Sequence, residues 1–542
     1  MTGRFGIGFA ALAAAWIGQA AVGAELPVVR TLAPVIYPAP LAPFDLGLAE
    51  ELADSPALLA AYAARSYAPV WTSAADAGRR AALFRAVEEA DGLPARRYRT
   101  EELRHAMDTP GNARARGRLE ARFARSWARY AQDVSHGVLT PKRVDPGLVR
   151  TVARRDVRAD LAAFAQAGDP AEWLHGLTPT DPRFLALQQA RRDLSRQIAA
   201  GGWGKPVPGG TLRPGDKGPA VGALRDRLQK MGYLGPGAPA HYDGAMQKAV
   251  QRWQADTGQV ADGIAGPATL ATLNLPPEDR LRAVNVAMER MRWMNGLDLG
   301  ARHVWVNITD FTARIVDHGQ TVFETVTVVG KNADDYRTPE FSDQMEMIVI
   351  NPSWHVPRSI TVREYLPKMQ RDPNAAAQIM LVDAQGREVP RSQVNFAAYD
   401  EKTFPYRMRQ APSDDNALGQ VKFLFPNPWN IYLHDTPSKR LFNERVRAFS
   451  HGCIRIGKPF DLAYELLAPQ QPDPEGYFQE ILKTGKEKTV RLDPPVPVHL
   501  VYFTAWPDGR GGIEYRDDIY GRDAAIWAAL EKAGVELTAR GD

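Results

Sequence analysis

The apolar side chains between residues 45 and 200 recur every three or four positions, which is the spacing of helices that bury one face. One such stripe is formed by Leu119, Phe123, Trp127 and Tyr130. Residues 201–210 then combine five glycines with two prolines, a composition typical of a boundary between domains. We therefore predict a helical scaffold domain over residues 25–208, with the aromatic stripe in its core.

A more compact helical pattern follows. Its first amphipathic helix is marked by Val221, Leu224, Leu228 and Met231. A second helix is predicted after Asp243, since aspartate is a favourable N-cap residue. A third begins at Pro267, because proline fits the first turn of a helix. These three helices predict a small domain over residues 209–276.

Beyond a linking helix around residues 281–294, the apolar period changes to two, the period of a strand. The predicted strands cover residues 303–308, 312–316, 322–329 and 345–350. A long, irregular and partly helical segment, about residues 358–408, interrupts this pattern, and its length suits a lid over a site. The fold class is therefore multidomain α+β, ending in a mainly β domain over residues 277–542.

The first 24 residues have the features of a secretory signal peptide. Arg4 precedes a run of small and apolar residues, 5–17, and Val22-Gly23-Ala24 provides a candidate cleavage site. The run is shorter than the ~18 apolar residues of a membrane span. We expect an exported protein, with a retained N-terminal anchor as the alternative. The net charge of +4 is too mild to indicate nucleic-acid binding.

The candidate chemistry centres on one thiol. Cys453 is the only cysteine of the chain and lies in the string Ser450-His451-Gly452-Cys453-Ile454-Arg455. His434 precedes it by nineteen residues, at the end of an apolar run. A lone cysteine forms no intramolecular disulfide, and a thiol between histidine and glycine suits a nucleophile. A neighbouring imidazole that takes or holds the thiol proton would supply the thiolate.

Two parts of the chain resemble known families. The strings Leu212-Arg213-Pro214-Gly215-Asp216-Lys217-Gly218, Tyr242-Asp243-Gly244 and Asp262-Gly263-Ile264-Ala265-Gly266-Pro267 resemble the three-helix peptidoglycan-binding module. The strings Ile431-Tyr432-Leu433-His434-Asp435-Thr436-Pro437 and Ser450-His451-Gly452-Cys453-Ile454-Arg455 are similar to the signature of the L,D-transpeptidases of bacterial cell-wall synthesis. The long Gram-negative type of that family is similar also at Met288-Glu289-Arg290-Met291-Arg292-Trp293, Asn351-Pro352-Ser353-Trp354-His355-Val356-Pro357 and Asn416-Ala417-Leu418-Gly419-Gln420-Val421-Lys422-Phe423. Its members join a helical scaffold, an inserted peptidoglycan-binding module and a β-rich catalytic domain with a capping segment. Glycan binding by the module and a purely spacing role both stay open.

The resemblance implies a periplasmic murein L,D-transpeptidase. The Cys453 thiolate would attack the third residue of a tetrapeptide stem at its L-centre, expel D-alanine and form a thioester. An amine from the third residue of a second stem would then give a 3→3 cross-link, without metal or cofactor. Carbapenems are implied as acylating inhibitors. The acceptor in the cell stays open among a second stem, a lipoprotein amine and a free D-amino acid.

The resemblance also implies roles for the motif residues. The family pattern places the base at His434, so that His451 orients the thiol or lines the pocket. The N–H groups of Gly452 and Cys453 would donate to the oxyanion. Arg455 is expected to pair with a substrate carboxylate or to fix the loop after the nucleophile. Ser450, a further candidate for substrate binding, is expected to hydrogen-bond locally.

Four upstream residues are candidates for the substrate groove. These are Asn351, Trp354, His355 and Tyr432. For Trp354 and His355, burial in the protein is the alternative interpretation.

Three other functions would use the same residues. A papain-like amidase or endopeptidase would pass the acyl group from Cys453 to water instead of an amine. A zinc peptidase could use His434, His451 and Cys453, but no His-Glu-x-x-His string or paired-cysteine spacing accompanies them. A non-catalytic wall-binding scaffold would tolerate replacement of Cys453.

Overall fold

In the computed structural model, residues 41–109, 111–237 and 241–537 are described. The predicted signal peptide, residues 1–24, lies outside them. The helices of the N-terminal region are α1 (Pro43–Glu51), α2 (Pro56–Ala63), α3 (Ala77–Glu88), α4 (Thr100–Asp108), α5 (Ala113–His136), α6 (Pro141–Val144), α7 (Val157–Gln166), α8 (Pro170–His175) and α9 (Pro182–Ala199). The helical scaffold expected from the apolar spacing is confirmed.

Helix α5 organises the scaffold. Its N-cap residue Asn112 accepts a hydrogen bond from the Ala115 N–H at 2.9 Å. The predicted stripe faces inward, and the ring of Phe123 stacks on that of Trp71 with 5.7 Å between the centroids. Trp127 lies in the same aromatic core. Burial of these large rings accounts for the stability of a region built from short helices.

One buried carboxylate joins α5 to the segment before α3. Glu120 accepts hydrogen bonds from the N–H groups of Val70, Trp71 and Thr72, at 2.6 to 3.2 Å, and from the hydroxyl of Tyr62 at 2.6 Å. Each of these donors would otherwise be buried without a partner or would have to reach water. The side chain of Glu120 therefore fixes the path of residues 70–72.

We expect Glu120→Ala to lower the free energy of unfolding of the scaffold by about 3 kcal/mol, because several buried donors lose their acceptor. Urea denaturation followed by circular dichroism measures the loss. Glu102→Ala is the matched control, since Glu102 is exposed on α4 and its ion pair with Arg99 spans 3.7 Å. A loss no greater than that of the control would contradict the role given to Glu120.

The next three helices are α10 (Pro219–Lys230), α11 (Gly244–Asp256) and α12 (Pro267–Leu273). They begin and end close to the predicted positions, and the Asp243 carboxylate accepts a hydrogen bond from the Met246 N–H at 2.8 Å. Their apolar core continues into α9 and into the linking helix α13 (Pro277–Trp293). The three-helix module therefore packs against its neighbours.

Helix α13 carries a buried cation that ties the chain together. The Arg290 guanidinium is 2.5 Å from a Glu340 oxygen and 2.8 Å from an Asp523 oxygen. All three side chains are buried. A buried charge of this kind requires partners of opposite charge. The Met288–Trp293 string of the resemblance therefore has a structural role, because its Arg290 joins α13 to Glu340 and Asp523.

The strands are β1 (Arg302–Asn307), β2 (Thr312–Asp317), β3 (Gln320–Gly330), β4 (Phe341–Ile350), β5 (Trp354–His355), β6 (Met380–Val382), β7 (Glu388–Val389), β8 (Arg407–Gln410), β9 (Val421–Leu424), β10 (Leu433–His434), β11 (Ala448–Ser450), β12 (Ile454–Ile456), β13 (Lys488–Val501), β14 (Ala505–Pro507) and β15 (Ile513–Tyr515). The four strands predicted between residues 303 and 350 correspond to β1 to β4. The expectation of a mainly β C-terminal region is confirmed.

The main sheet is closed on itself. Its strand order is β11-β3-β12-β10-β9-β4-β13-β1-β2, and β2 also pairs with β3. Eight strands therefore form a ring of pairings, with β11 attached to β3. The ring encloses an apolar core that includes Leu433 and Ile454. Alternate side chains of β10 and β12 point away from this core.

The predicted lid has its own small fold. It contains α14 (Arg358–Ile360), a π-helical turn (Thr361–Tyr365) and α15 (Leu366–Arg371). It also contains β6, β7 and β8, which form a four-stranded sheet with β5 in the order β5-β8-β6-β7. A separate apolar cluster that includes Met369, Leu381 and Met408 fills this capping segment.

The remaining helices are α16 (Pro459–Leu467), α17 (Pro474–Lys483) and α18 (Arg522–Lys532). Among the described residues, no helix combines the length and apolar character needed to cross a membrane.

Candidate active site

Two neighbouring parallel strands bring the predicted nucleophile and base together. In the register of β10 and β12, Leu433 is opposite Ile454 and His434 is opposite Arg455. Side chains alternate along a strand, so Cys453, directly before β12, shares the outward face with His434 and Arg455. The Ile454 N–H donates to the Tyr432 carbonyl at 3.0 Å, which continues the pairing back to Cys453.

Tyr432 completes this face. Its ring centroid lies 5.7 Å from that of His434, and burial together with the neighbouring Cys453 thiol raises the pKa of the Tyr432 hydroxyl. The thiol itself donates to the Asn430 carbonyl at 3.4 Å. Four residues singled out in the sequence therefore meet: Tyr432, His434, Cys453 and Arg455.

The thiol is protonated in the free protein. The Cys453 side chain is half-buried, and burial raises the pKa of the thiol to about 11, although the N–H and hydroxyl of Tyr432 oppose the rise. A pKa this far above neutrality leaves only a small fraction of thiolate at pH 7. The nucleophile must therefore lose its proton during the attack.

The imidazole of His434 is neutral and can accept that proton. The side chain is buried, and burial, with the nearby Arg455 guanidinium as a smaller cause, lowers the pKa of His434 to about 3. Its Nδ1 donates to the backbone carbonyl of Asp435, which leaves Nε2 as the basic nitrogen. The resting pair is a thiol and a neutral imidazole rather than an ion pair.

The rate at which iodoacetamide alkylates Cys453 in the free protein should rise steadily with pH up to about 11. The sign follows from the raised pKa, since the thiolate fraction below it grows about tenfold per pH unit. Intact-mass spectrometry over a series of pH values measures the rate. Because His434 is neutral, His434→Ala should leave this profile unchanged. A plateau beginning below pH ~8 would instead indicate a thiolate held by an imidazolium.

The loop before the nucleophile is held by local hydrogen bonds. Gly452 has a φ of 114°, a conformation that L side chains rarely adopt, and an added Cβ would lie 3.1 Å from the Ile431 Cδ1. The Gly452 carbonyl accepts from the Thr338 hydroxyl at 2.7 Å. The Ser450 hydroxyl accepts a hydrogen bond from the Gly452 N–H at 3.1 Å and donates one to the Cys453 carbonyl. Ser450 therefore bonds locally, and buried Thr338 is a support that the sequence did not reveal.

These bonds change one expectation about the oxyanion hole. The Gly452 N–H is already engaged by Ser450 and is not free to donate to an oxyanion in this conformation. The Cys453 N–H, by contrast, has no acceptor among the described residues. The nucleophile's own amide is thus the better placed donor of the two.

His451 contacts the capping segment. Its Nε2 lies 2.5 Å from a carboxylate oxygen of Glu364, in the π-helical turn. The ring packs edge-on against Tyr336 with 4.9 Å between the centroids. Since Nε2 is engaged by Glu364, His451 is less suited than His434 to serve as the base.

A row of cations flanks the base. Lys422 on β9 is opposite His434, which in turn is opposite Arg455 on β12. Lys422 and Arg455 are half-buried, burial lowers the pKa of each, and neither forms an ion pair within the part of the chain that the structure describes. The buried Nε of Arg455 also lacks a hydrogen-bond partner there. We call Lys422 and Arg455 the cationic row. The sequence analysis did not single out Lys422. The alternation of side chains along β9 could have indicated that Lys422 points away from the apolar core.

The remaining predicted groove residues have structural contacts. Trp354 is buried in the core of the capping segment, 6.3 Å from the ring of Tyr365, whereas His355 is exposed. The side-chain amide of Asn351 donates to the carbonyls of Ile481, Leu482 and Lys486 at 3.1 to 3.3 Å. Its amide nitrogen is therefore used to hold the end of α17.

Within the described residues, no group of three or more His, Cys, Asp or Glu side chains is arranged to hold a metal ion.

Three family models match separate parts of the chain. A scaffold domain model matches residues 56–190, a "Putative peptidoglycan binding domain" matches residues 217–273, and the YkuD model, an L,D-transpeptidase catalytic domain, matches residues 301–483. Each match lies inside one of the predicted domain ranges. The boundaries of those ranges stay predictions.

Individual proteins are similar over shorter lengths. A protein named "Putative L,D-transpeptidase" from Haemophilus influenzae is 36% identical over 225 residues, which cover 41% of this chain and 45% of that protein. The zinc D-Ala-D-Ala carboxypeptidase of Streptomyces albus G is 40% identical over 90 residues, covering 16% and 34%. The chain thus spans less than half the length of either relative. A solved L,D-transpeptidase structure from Xylanimonas cellulosilytica has 14% identity, covers 55% of this chain and 100% of that chain, and gives a TM-score of 0.15.

The thiol and imidazole of the closed sheet lie inside the matched catalytic region, after a matched scaffold and a matched peptidoglycan-binding region. Residues 301–483 therefore belong to the YkuD family of L,D-transpeptidase catalytic domains.

Proposed function

We propose that the protein is a murein L,D-transpeptidase that forms 3→3 cross-links through a thioester on Cys453. The observation that carries the proposal is the shared outward face of β10 and β12. It sets a thiol beside a neutral imidazole within an L,D-transpeptidase catalytic domain. The peptidoglycan-binding domain is consistent with a cell-wall polymer as substrate, and we place the reaction in the periplasm.

The first half of the reaction forms the acyl-enzyme. As the Cys453 sulfur bonds to the carbonyl carbon of the third stem residue, Nε2 of His434 accepts the thiol proton. The carbonyl oxygen becomes an oxyanion, to which the Cys453 N–H donates. Collapse of this intermediate breaks the amide bond, and the departing nitrogen of D-alanine takes the proton from His434. The products are D-alanine and a thioester.

The second half transfers the acyl group. An amine of a second stem attacks the thioester carbon while His434 accepts an amine proton. The carbon–sulfur bond then breaks, and the proton returns to the Cys453 sulfur. One amide bond is broken and one is made, so the cycle requires no ATP.

The cationic row suits the charge of the substrate. Stem peptides carry carboxylates, and Lys422 and Arg455 are two cations beside the reacting groups that form no salt bridge with any described residue. Partial burial removes some of the water that would hydrate these two charges, and a bound carboxylate would provide hydrogen bonds and opposite charge in its place. We assign the cationic row to recognition of the stem on either side of the scissile bond.

The capping segment is positioned to shelter the thioester. Glu364 pairs with His451 beside the nucleophile, and Arg363 pairs with Asp335 at 2.5 Å in the loop after β3. One ion pair and one histidine–carboxylate contact therefore join this segment to the walls of the site. A closed segment would keep water from the thioester until an amine arrives.

Removing the charge of Glu364 should loosen this closure. We expect Glu364→Gln to raise the share of hydrolysed stem relative to cross-linked product by a few-fold, because a neutral amide makes a weaker hydrogen bond to His451 than a carboxylate does. Mass spectrometry of the products measures the ratio. Glu388→Gln is the matched control, because Glu388 is exposed on β7 of the same segment. Equal ratios in wild type and Glu364→Gln would contradict the sheltering role.

The test of the function uses purified protein and a disaccharide tetrapeptide, with the products read by mass spectrometry. We expect a dimer that has lost one D-alanine and is linked between third residues. Added D-amino acid or a lipoprotein-derived amine should compete as acceptor if the site accepts other amines. Hydrolysed stem as the sole product would favour the cysteine peptidase or amidase instead.

A further inference from the structure

A large cavity lies away from the nucleophile, where the scaffold meets the closed sheet. Its volume is about 670 Å³, and its walls come from the C-terminal half of α5, from residues 137–157 and from Arg97. Cavities of this size hold small molecules or the end group of a polymer. None of its lining residues belongs to the site at Cys453.

The walls of this cavity are strongly basic. A single carboxylate, that of Asp133, faces a group of six cationic side chains: Arg97, Arg129, Lys142, Arg150, Arg154 and Arg155. A concave surface with one sign of charge concentrates its field and attracts ions of the opposite sign.

Internal pairing neutralises only part of this charge. Arg97 lies 2.9 Å from the Asp133 carboxylate, and Arg155 makes two bonds to Asp160 at 2.6 and 2.7 Å. The other four cations form no ion pair with any residue that the structure describes. They are Arg129, Lys142, Arg150 and Arg154.

Of these four cations, Arg129, Lys142 and Arg154 are exposed, whereas Arg150 is buried. Arg150 donates only to neutral oxygens, the Ser342 hydroxyl at 2.6 Å and the Leu500 carbonyl at 2.8 Å. Burial lowers the pKa of Arg150 to about 10, and burial together with the neighbouring Arg97 lowers that of Arg129. Burial also raises the pKa of Asp133 to about 6, which weakens the negative charge of the one carboxylate that lines the cavity.

We propose that this cavity binds a ligand with two or more oxyanion groups, carboxylate or phosphate. The arginine fork pairs with either group through two hydrogen bonds, and four unpaired cations around one space match more than one negative charge. The site is separate from the transpeptidase chemistry and does not depend on it.

Calorimetric titration of the full chain at low salt tests the proposal, with citrate as the carboxylate probe, inorganic phosphate as the phosphate probe and disaccharide tetrapeptide as the cell-wall probe. Arg129→Glu with Arg154→Glu removes two exposed cations of the cavity and should weaken binding at least about tenfold. Arg85→Glu with Arg116→Glu makes the same change in charge at exposed scaffold positions outside the cavity, and affinity should stay within about twofold.

The preferred probe identifies the oxyanion, because carboxylate and phosphate are supplied separately. Circular dichroism verifies that both double variants are folded. Absence of saturable binding by all three probes would overturn the proposal. Equal loss of affinity in the two double variants would also overturn it, because the loss would then follow from the change in net charge and not from the cavity.

Discussion

Cys453→Ala and Cys453→Ser should each abolish cross-link formation while leaving the melting temperature close to that of the wild type. The thiol supplies the bond-forming atom, whereas its half-buried side chain adds little apolar volume to the core. The activity is measured as cross-linked dimer from disaccharide tetrapeptide. Intact-mass spectrometry after carbapenem exposure should show one covalent addition to the wild type, on the peptide that contains Cys453, and none to either variant.

Serine is the informative replacement, since it keeps the size and hydrogen bonding of the side chain but loses the nucleophilicity of sulfur. Near wild-type turnover in Cys453→Ser would show that the nucleophile lies elsewhere. A carbapenem adduct on a serine of the wild-type protein would lead to the same conclusion.

The second large effect is expected at the base. His434→Ala should lower kcat/KM by about 10² to 10⁴, the usual contribution of a general base. The loss should be large because the pKa of the Cys453 thiol is about 11, so that little thiolate forms without help. Stopped-flow acylation by a carbapenem and steady-state cross-linking both report this step.

His451→Ala is the matched comparison, a second histidine beside the same thiol. Its Nε2 is engaged by Glu364, so its loss should mainly affect the capping segment and cost less in acylation. Equal or reversed losses in kcat/KM would transfer the role of base to His451.

Periodicity predicted the regular elements well. The strand predicted at residues 303–308 is Arg302–Asn307, and the helix predicted after Asp243 is Gly244–Asp256 with that residue as its cap. These elements could be predicted because each is marked by a repeating apolar pattern or a capping residue within its own segment of the sequence. The meeting of Cys453 with His434 was foreseen through the resemblance, and the parallel register of β10 and β12 supplies its physical basis.

What the sequence did not predict depends on contacts between distant segments. The small sheet of the capping segment is built from strands of two to four residues, too short to show a period. Lys422 joins the cationic row only through the pairing of β9 with β10. Thr338 and Glu364 reach the catalytic loop from 114 and 87 residues away in the chain.

The same limit applies to the contacts of Asn351. Its side-chain amide donates to three carbonyls at the end of α17, more than a hundred residues later in the chain. The last carbonyl groups of a helix have no hydrogen-bond donor within the helix and need donors from elsewhere. No sequence pattern near residue 351 indicates that such carbonyl groups lie beside it.

The protonated resting state of Cys453 also affects the chemical lifetime of the enzyme. Peroxides oxidise thiolates to sulfenic acid far faster than thiols, and a second oxidation cannot be reversed by ordinary reductants. A nucleophile whose pKa is near 11 in the free protein exposes little thiolate to such reagents. Delayed ionisation would therefore preserve the only sulfhydryl of the chain through long idle periods between turnovers.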